Sequence, residues 1–384
     1  MKRIHKFVAI IAAMTLCSSI LCSCGGRKEE IDYSSLSAVN FSKEMGVGWN
    51  LGNTFDAYSN GKGCETGWGN PEVNEKLIKK VKKAGFDTIR IPVSYMGNIG
   101  DDGFIDEQWL NRVYEVVQMA IDNDLFVIIN IHHDGNNDSS NGAWIDITQE
   151  DQTEMQDKFE NVWNQIAEKF KDCPDTLIFE SMNEIHDGTY TAPSGSDGQF
   201  YYDSINALNQ IFVNTVRKTG GNNSERFLLV PGYNTNIDYT IDGLRLPNDT
   251  ADDKLMVSVH YYDPYNFTLE ENMNIVNWGN DEDGTCGYGN EDYVEQQFDK
   301  LRDTYIANGI PVILGEYGAV DKDNDDARAK YLSYVTAAAC ERGIVPVYWD
   351  NGYDGDYGFA LFNRESGKQI YPDLVDAIVN HNSK

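Results

Sequence analysis

Leu177-Ile178-Phe179-Glu180-Ser181-Met182-Asn183-Glu184 is a short apolar run of β-forming residues that closes on a carboxylate, and Ile313-Leu314-Gly315-Glu316-Tyr317-Gly318 repeats the plan. The two stretches lie far apart in the chain. Only a fold that gathers distant strand ends could bring Glu184 and Glu316 to one place. Two carboxylates facing across a cleft are the minimal equipment for cleaving a glycosidic bond. A single Glu after a strand carries little weight, because most such residues are simply solvated.

Working outward, the same kind of run recurs at 47–51, 88–93, 126–131, 177–181, 227–230, 256–260, 311–314 and 345–349. The runs are short, apolar and rich in Ile, Val, Leu and Phe, as strands buried on both faces are. Between them lie helix signals. Asn70-Pro71 offers an N-cap and a first-position Pro ahead of Val73, Leu77, Ile78 and Val81 at helical spacing. Asp106 opens a stretch with Leu110, Val113, Val117 and Ile121, and Met155, Phe159, Val162, Trp163 and Ile166 share another apolar face. Gly85 and Gly309 stand where a helix ends just before a strand. This alternation predicts an α/β fold, a single-domain (β/α)8 TIM barrel. An open doubly wound sheet would usually carry a Gly-rich phosphate loop after its first strand. Here Gly46-Val47-Gly48-Trp49 precedes and enters that strand instead.

The N-terminus reads as an export signal: Lys2, Arg3 and Lys6, then an apolar run over 7–16 that is too short to span a membrane. Leu21-Cys22-Ser23-Cys24 resembles a bacterial lipobox, with cleavage before Cys24 and lipid on its sulfur. The expected organisation is a lipoprotein signal peptide at 1–23, a polar tether at 24–40 and the barrel over 41–384. The product is exported, either lipid-anchored at the cell surface or secreted, and meets a membrane only through Cys24. A monomer is expected. The formal net charge of −30 repels phosphate backbones, which argues against a nucleic-acid partner and suits an enzyme acting on an uncharged polymer.

In a barrel, chemistry gathers at the C-terminal strand ends. Those ends carry Asn50 and Asn53, Arg90, His132-His133-Asp134, Asn183-Glu184, His260 and Tyr262, Glu316, and Trp349. One polar residue at a strand terminus is ordinary. A full set on one face points to function. Asn130-Ile131-His132-His133-Asp134 allows a second reading, as metal ligands. Neighbouring strand residues face opposite ways, so both histidines could hold one ion only if the strand had already ended there. No metal and no cofactor are expected.

Together, Trp49-Asn50-Leu51-Gly52-Asn53-Thr54-Phe55-Asp56, Arg90-Ile91-Pro92-Val93-Ser94, Met182-Asn183-Glu184, His260-Tyr261-Tyr262 and Gly315-Glu316-Tyr317-Gly318 resemble glycoside hydrolase family 5. Gly67-Trp68-Gly69-Asn70-Pro71 and Trp349-Asp350-Asn351-Gly352 resemble its fourth subfamily, which holds endoglucanases, lichenases and xyloglucanases. The resemblance runs from about Phe41 to the C-terminus. It implies a retaining endo-β-1,4-glucanase acting on a β-glucan polysaccharide, with Glu184 as acid/base and Glu316 as nucleophile. Arg90 and Tyr262 would hold the nucleophile. Asn183 would bond the sugar 2-hydroxyl, and His132, His133 and His260 would bind hydroxyls or fix neighbours. Trp349 would face the sugar ring. The pKa of Glu184 is expected to be raised by ionised Glu316. Xylanase or mannanase action with the same machinery, and a non-catalytic surface glycan-binding lipoprotein, are the alternatives.

Of the other aromatics, Trp109 and Trp163 sit on helix stripes and read as core. Trp144, Trp278, Tyr265 and Phe267 fall in loops after the third and sixth strands, as sugar platforms or as plain loop packing. Cys64, Cys173, Cys286 and Cys340 show no CxxC spacing, which argues against structural zinc. Cys64 and Cys286 follow the first and sixth strands, so a bridge between them would obstruct the mouth of the barrel. The loop from Asp263 to about Tyr288 has little apolar content, and reads as one flank of an open groove.

Overall fold

Eight parallel strands close into a barrel: β1 Gly48–Asn50, β2 Thr88–Ile91, β3 Phe126–Asn130, β4 Leu177–Glu180, β5 Leu228–Pro231, β6 Leu255–Tyr261, β7 Val312–Tyr317 and β8 Val345–Tyr348. Each pairs with the next, and β8 returns to β1. The computed structural model describes residues 31–135, 142–193, 195–280 and 285–381. The proposed signal peptide and Cys24 lie outside these residues. Every predicted run falls on a barrel strand. The main difference is at β7, which continues to Tyr317 and so carries Glu316 within it.

Helices on the outside bury one apolar stripe each. Leu77, Ile78 and Val81 of α2 (Glu75–Ala84), Val113, Val116 and Val117 of α3 (Glu107–Ile121), and Phe159, Val162, Trp163 and Ile166 of α4 (Thr153–Phe170) join the outward residues Ile89, Ile91, Val127 and Phe179 in one core. Asp106 caps α3 by accepting from Gln108 and Trp109 N–H groups, as its position in the sequence suggests. The start predicted for α2 is corrected. Its N-cap is Asn74, and Asn70 instead donates to the carbonyls of Asn53 and Asn351, tying two loops together at the mouth.

The tether is shorter than expected. Residues 33–40, assigned to it from their polarity, are folded: Ser37 caps α1 (Ala38–Ser42), and Lys254 Nζ holds the carbonyls of Ser34 and Leu36 at 2.7 Å. Ala38, Phe41 and Met45 plug the N-terminal end of the barrel, with Phe41 stacked on Phe227 at 3.8 Å. Few apolar residues suffice there, because each enters a ring already lined by Phe126, Ile128, Met256 and Val347. The chain thus enters at the end opposite the mouth.

Candidate active site

Glu316 owes its aim to an irregular strand. Along β6 and β7, Val259 pairs with Leu314 but His260 pairs with Glu316, so Gly315 is an extra residue bulged out of the ladder. Its carbonyl accepts from Asn50 Nδ2 at 2.9 Å. A Cβ on Gly315 would stand 3.1 Å from His260 Nε2 and 3.2 Å from Ser258 Oγ, so the position favours the smallest residue.

The Glu316 carboxylate is held at both oxygens. Arg90 Nη1 donates to Oε1 at 2.8 Å and Tyr262 OH to Oε2 at 3.0 Å. Arg90 is wholly buried and makes three further bonds, to Asn50 Oδ1, Asn183 Oδ1 and Glu180 Oε2. A rigid fork of donors suits this task better than a Lys could. Because the Asn183 carbonyl is spent on Arg90, its amide N–H groups are what it offers a ligand. Burial and the Glu316 charge push the Tyr262 phenol far up, so it stays a donor.

Glu184 lies four residues beyond β4 and is 34% exposed, against 7% for Glu316. One oxygen of each carboxylate and one nitrogen of His260 lie within 4.8 Å of one another. His260 Nδ1 is 2.5 Å from Glu184 Oε1. The expected upward shift of Glu184 is reversed. Burial raises its pKa, but the hydrogen bond and charge of His260, helped by Arg90, outweigh this and hold it below the usual value. His260 is pushed up correspondingly, the Glu316 and Glu184 charges overcoming its burial. Glu316 rises, through burial first and the Glu184 charge as well, against the pull of His260 and Arg90.

His132 completes the floor of the cleft. Asn130 Oδ1 accepts from Val93 N–H, so Asn130 Nδ2 must be the donor 3.2 Å from His132 Nδ1. The His132 proton therefore sits on Nε2, 3.9 Å from Glu316 Oε1. Burial and the charges of His133, Arg90 and His260 keep the ring neutral. Trp349 lies parallel to it, with centroids 5.9 Å apart. With β3 ended at Asn130, His132 and His133 do fall on one side, beside Asp56. A metal is still disfavoured, because protonated Nε2 has no lone pair to give.

These groups line a cleft of about 790 Å³. His132, His133, Asn183, Glu184, His260, Tyr262, Glu316 and Trp349 line it; Arg90 reaches it through Glu316 and Asn183, while Asn50 and Asp134 are buried away from it. Tyr190 and Tyr265, both exposed, line the part reached by the loops after β4 and β6. Exposed Trp68 packs against His133 and Tyr58 on the side of β1 and β3. Neither Trp68 nor Tyr190 stood out in the sequence as a platform. The reverse correction applies to Trp278 and Phe267. Both are buried against Tyr331, and Trp278 Nε1 donates to the Gly289 carbonyl. They anchor the Asp263–Tyr288 loop on Tyr331, while its Asp263, Tyr265 and Leu269 line the cleft. Trp144 is half-buried and spends its N–H on Asp134. Cys64 and Cys286 are free thiols.

Comparison with known proteins agrees with this geometry. Residues 51–355 match the Cellulase (glycosyl hydrolase family 5) family. Endoglucanase A of Paenibacillus barcinonensis is 43% identical over 399 residues, covering 98% of each chain. Among solved structures, a family 5 xyloglucanase from Paenibacillus pabuli superposes with a TM-score of 0.85 at 48% identity, over 88% of this chain and 99% of that one. A GH5-4 broad specificity endoglucanase from Bacteroides salanitronis gives 0.87 at 40% identity, over 92% and 98%. By its closed barrel, the site on its mouth and these matches, the chain belongs to glycosyl hydrolase family 5.

Proposed function

We propose that this protein is a retaining endo-β-1,4-glucanase that hydrolyses β-glucan polysaccharides by double displacement. The observation that carries the reading is the pairing of two carboxylates across one open cleft, one clamped by Arg90 and Tyr262, the other facing solvent beside His260. Glu316 attacks the anomeric carbon as the glycosidic bond breaks, and Glu184 gives its proton to the departing oxygen. Once Glu316 is esterified its charge is gone. Glu184 then takes a proton from water, whose oxygen attacks the same carbon and releases Glu316. The Asn183 amide bonds the 2-hydroxyl, and the His132 Nε2–H reaches a second sugar oxygen. Arg90 and Tyr262 take back the carboxylate as it leaves.

The groove reading follows from the same cleft. Trp68 and Tyr58 stand at one end, Tyr190 and Tyr265 at the other, so a chain can lie across the mouth. Viscosity of a soluble β-glucan should fall much faster than reducing ends appear. A proportional fall with one early disaccharide would mean attack from chain ends. No product from any glucan, xylan or mannan would favour a binding protein. Export and a lipid on Cys24 belong to the same proposal. Cys24→Ser should then release the protein from membranes and abolish labelling with a radioactive fatty acid, while unchanged labelling would place the anchor elsewhere.

A further inference from the structure

Beneath the two reacting carboxylates lies a third that the scheme above does not use. Glu180 is fully buried inside the barrel at the end of β4. Its Oε2 accepts from Arg90 Nε at 2.7 Å and from Asn130 Nδ2 at 3.0 Å, and its Oε1 accepts from Ser258 Oγ at 2.6 Å. Every partner is a donor, which suits the acceptor-only carboxylate anion. Two lines of contact leave Glu180 for the cleft. One runs through Arg90 to Glu316. The other runs through Asn130 to His132 Nδ1, the bond that places the His132 proton on Nε2.

We propose that Glu180 is a positioning residue: it shares Arg90 with Glu316, and so sets how firmly the nucleophile is held, while orienting His132 through Asn130. A second carboxylate on the same guanidinium offsets part of its pull on the first, because the two anions repel. Glu316 is thereby aligned by Arg90 yet left basic enough to attack, since nucleophilicity follows basicity. A barrel core has no packing need for this carboxylate; an aliphatic residue would fill the space without the cost of desolvating a charge. The inference rests on the reading of Glu316 as nucleophile.

Glu180→Gln tests it, because the variant changes charge with little change of shape. The amide oxygen can accept from Arg90 and Asn130, and the amide N–H can donate to Ser258 Oγ, which stays satisfied by accepting. The substrate is 2,4-dinitrophenyl β-cellobioside, whose departure needs no proton. We expect kcat to fall roughly 10- to 100-fold with KM little changed, the scale on which metal sites respond to loss of a ligand's outer hydrogen-bond partner. We also expect the acid limb of the kcat/KM profile to move to lower pH, because Arg90 then holds Glu316 without a competitor. A merely loosened site would lower kcat and leave the limb in place. An unmoved limb, or one moved to higher pH, overturns the proposal. Should Glu180→Gln not fold, Glu180→Asp serves: it keeps the charge but withdraws it from Nε by one methylene. It should lose roughly tenfold in kcat with the acid limb moved to lower pH, though less far than in the Gln variant, and either wild-type kcat or an unmoved limb would overturn the proposal. Azide added to Glu316→Ala separates the two readings. Rescue with inverted product upholds the nucleophile whatever Glu180 does, and failure of that rescue removes the basis of both.

Discussion

Glu184 Oε1 and Glu316 Oε2 lie 2.5 and 3.6 Å from the same atom, Nδ1 of His260. The imidazole therefore stands between the two reacting carboxylates and shares a proton with Glu184. That proton favours His260, which is raised, over Glu184, which is lowered. The pair acts as one acid, and its titration belongs to the pair. When a substrate oxygen arrives beside Glu184, the proton passes to it from the carboxyl.

This makes His260→Gln informative. The wild-type basic limb is set by loss of the shared proton, which His260 retains to higher pH than an ordinary imidazole. Without the imidazole the proton must sit on the Glu184 carboxyl alone. The basic limb of kcat/KM on a β-glucan oligosaccharide should move to lower pH. A limb that stays in place would show that His260 does not share in the acid.

Glu184→Ala should separate the two chemical steps. Turnover of a β-glucan should drop by about 10²- to 10⁴-fold, the usual worth of a general acid/base. The first step on 2,4-dinitrophenyl β-cellobioside should be spared and show as a burst. Azide should speed the second step and give a product of retained configuration. An inverted azide product would exchange the roles of Glu184 and Glu316.

The legible part of this molecule was its periodicity. Eight apolar runs placed all eight strands, and polar residues at their ends gave most of the groups that line the cleft, because parallel strands in a closed barrel share one C-terminal face. What escaped notice depends on contacts between distant residues. Glu180 closes the fourth apolar run, but its partners Arg90, Asn130 and Ser258 come from three other strands. A polar residue inside an otherwise apolar buried strand was the available signal, and Asn130 and Ser258 carry it too. Trp278 and Trp68 both sit in Gly-rich loops; only the packing of Tyr331 over one and its absence over the other tells core from platform. The downward shift of Glu184 is not legible in the sequence, because its partnership with His260, 76 residues away, exists only in the fold.

Arg90→Ala should cost stability as well as rate. It strands Glu180 in the barrel with its strongest donor gone, and breaking a buried ion pair in this way costs about 3–5 kcal/mol. Urea unfolding at neutral pH checks the figure. Activity should be lost at every pH tested, since neither the alignment nor the charge of Glu316 survives. Unchanged unfolding would mean that water takes over from the guanidinium.

Trp68→Ala should act on length of substrate. The ring is exposed, touches His133 and Tyr58, and lies beyond the residues that hold the reacting sugar. KM for a long β-1,4-glucan oligosaccharide should rise about three- to tenfold, matching the loss of one stacking contact of about 0.5–1.5 kcal/mol. Aryl cellobioside kinetics should hardly change. Equal effects on both substrates would place Trp68 nearer the reacting bond.

Double displacement requires that Glu316 become covalently attached to the sugar. An activated 2-deoxy-2-fluoro β-cellobioside slows the second step more than the first, so the intermediate should accumulate and be found by mass spectrometry of the digested protein. One added fluorocellobiosyl group is expected, on the peptide that contains Glu316 and on that residue. Label on Glu184, or time-dependent loss of activity with no added mass, would contradict it.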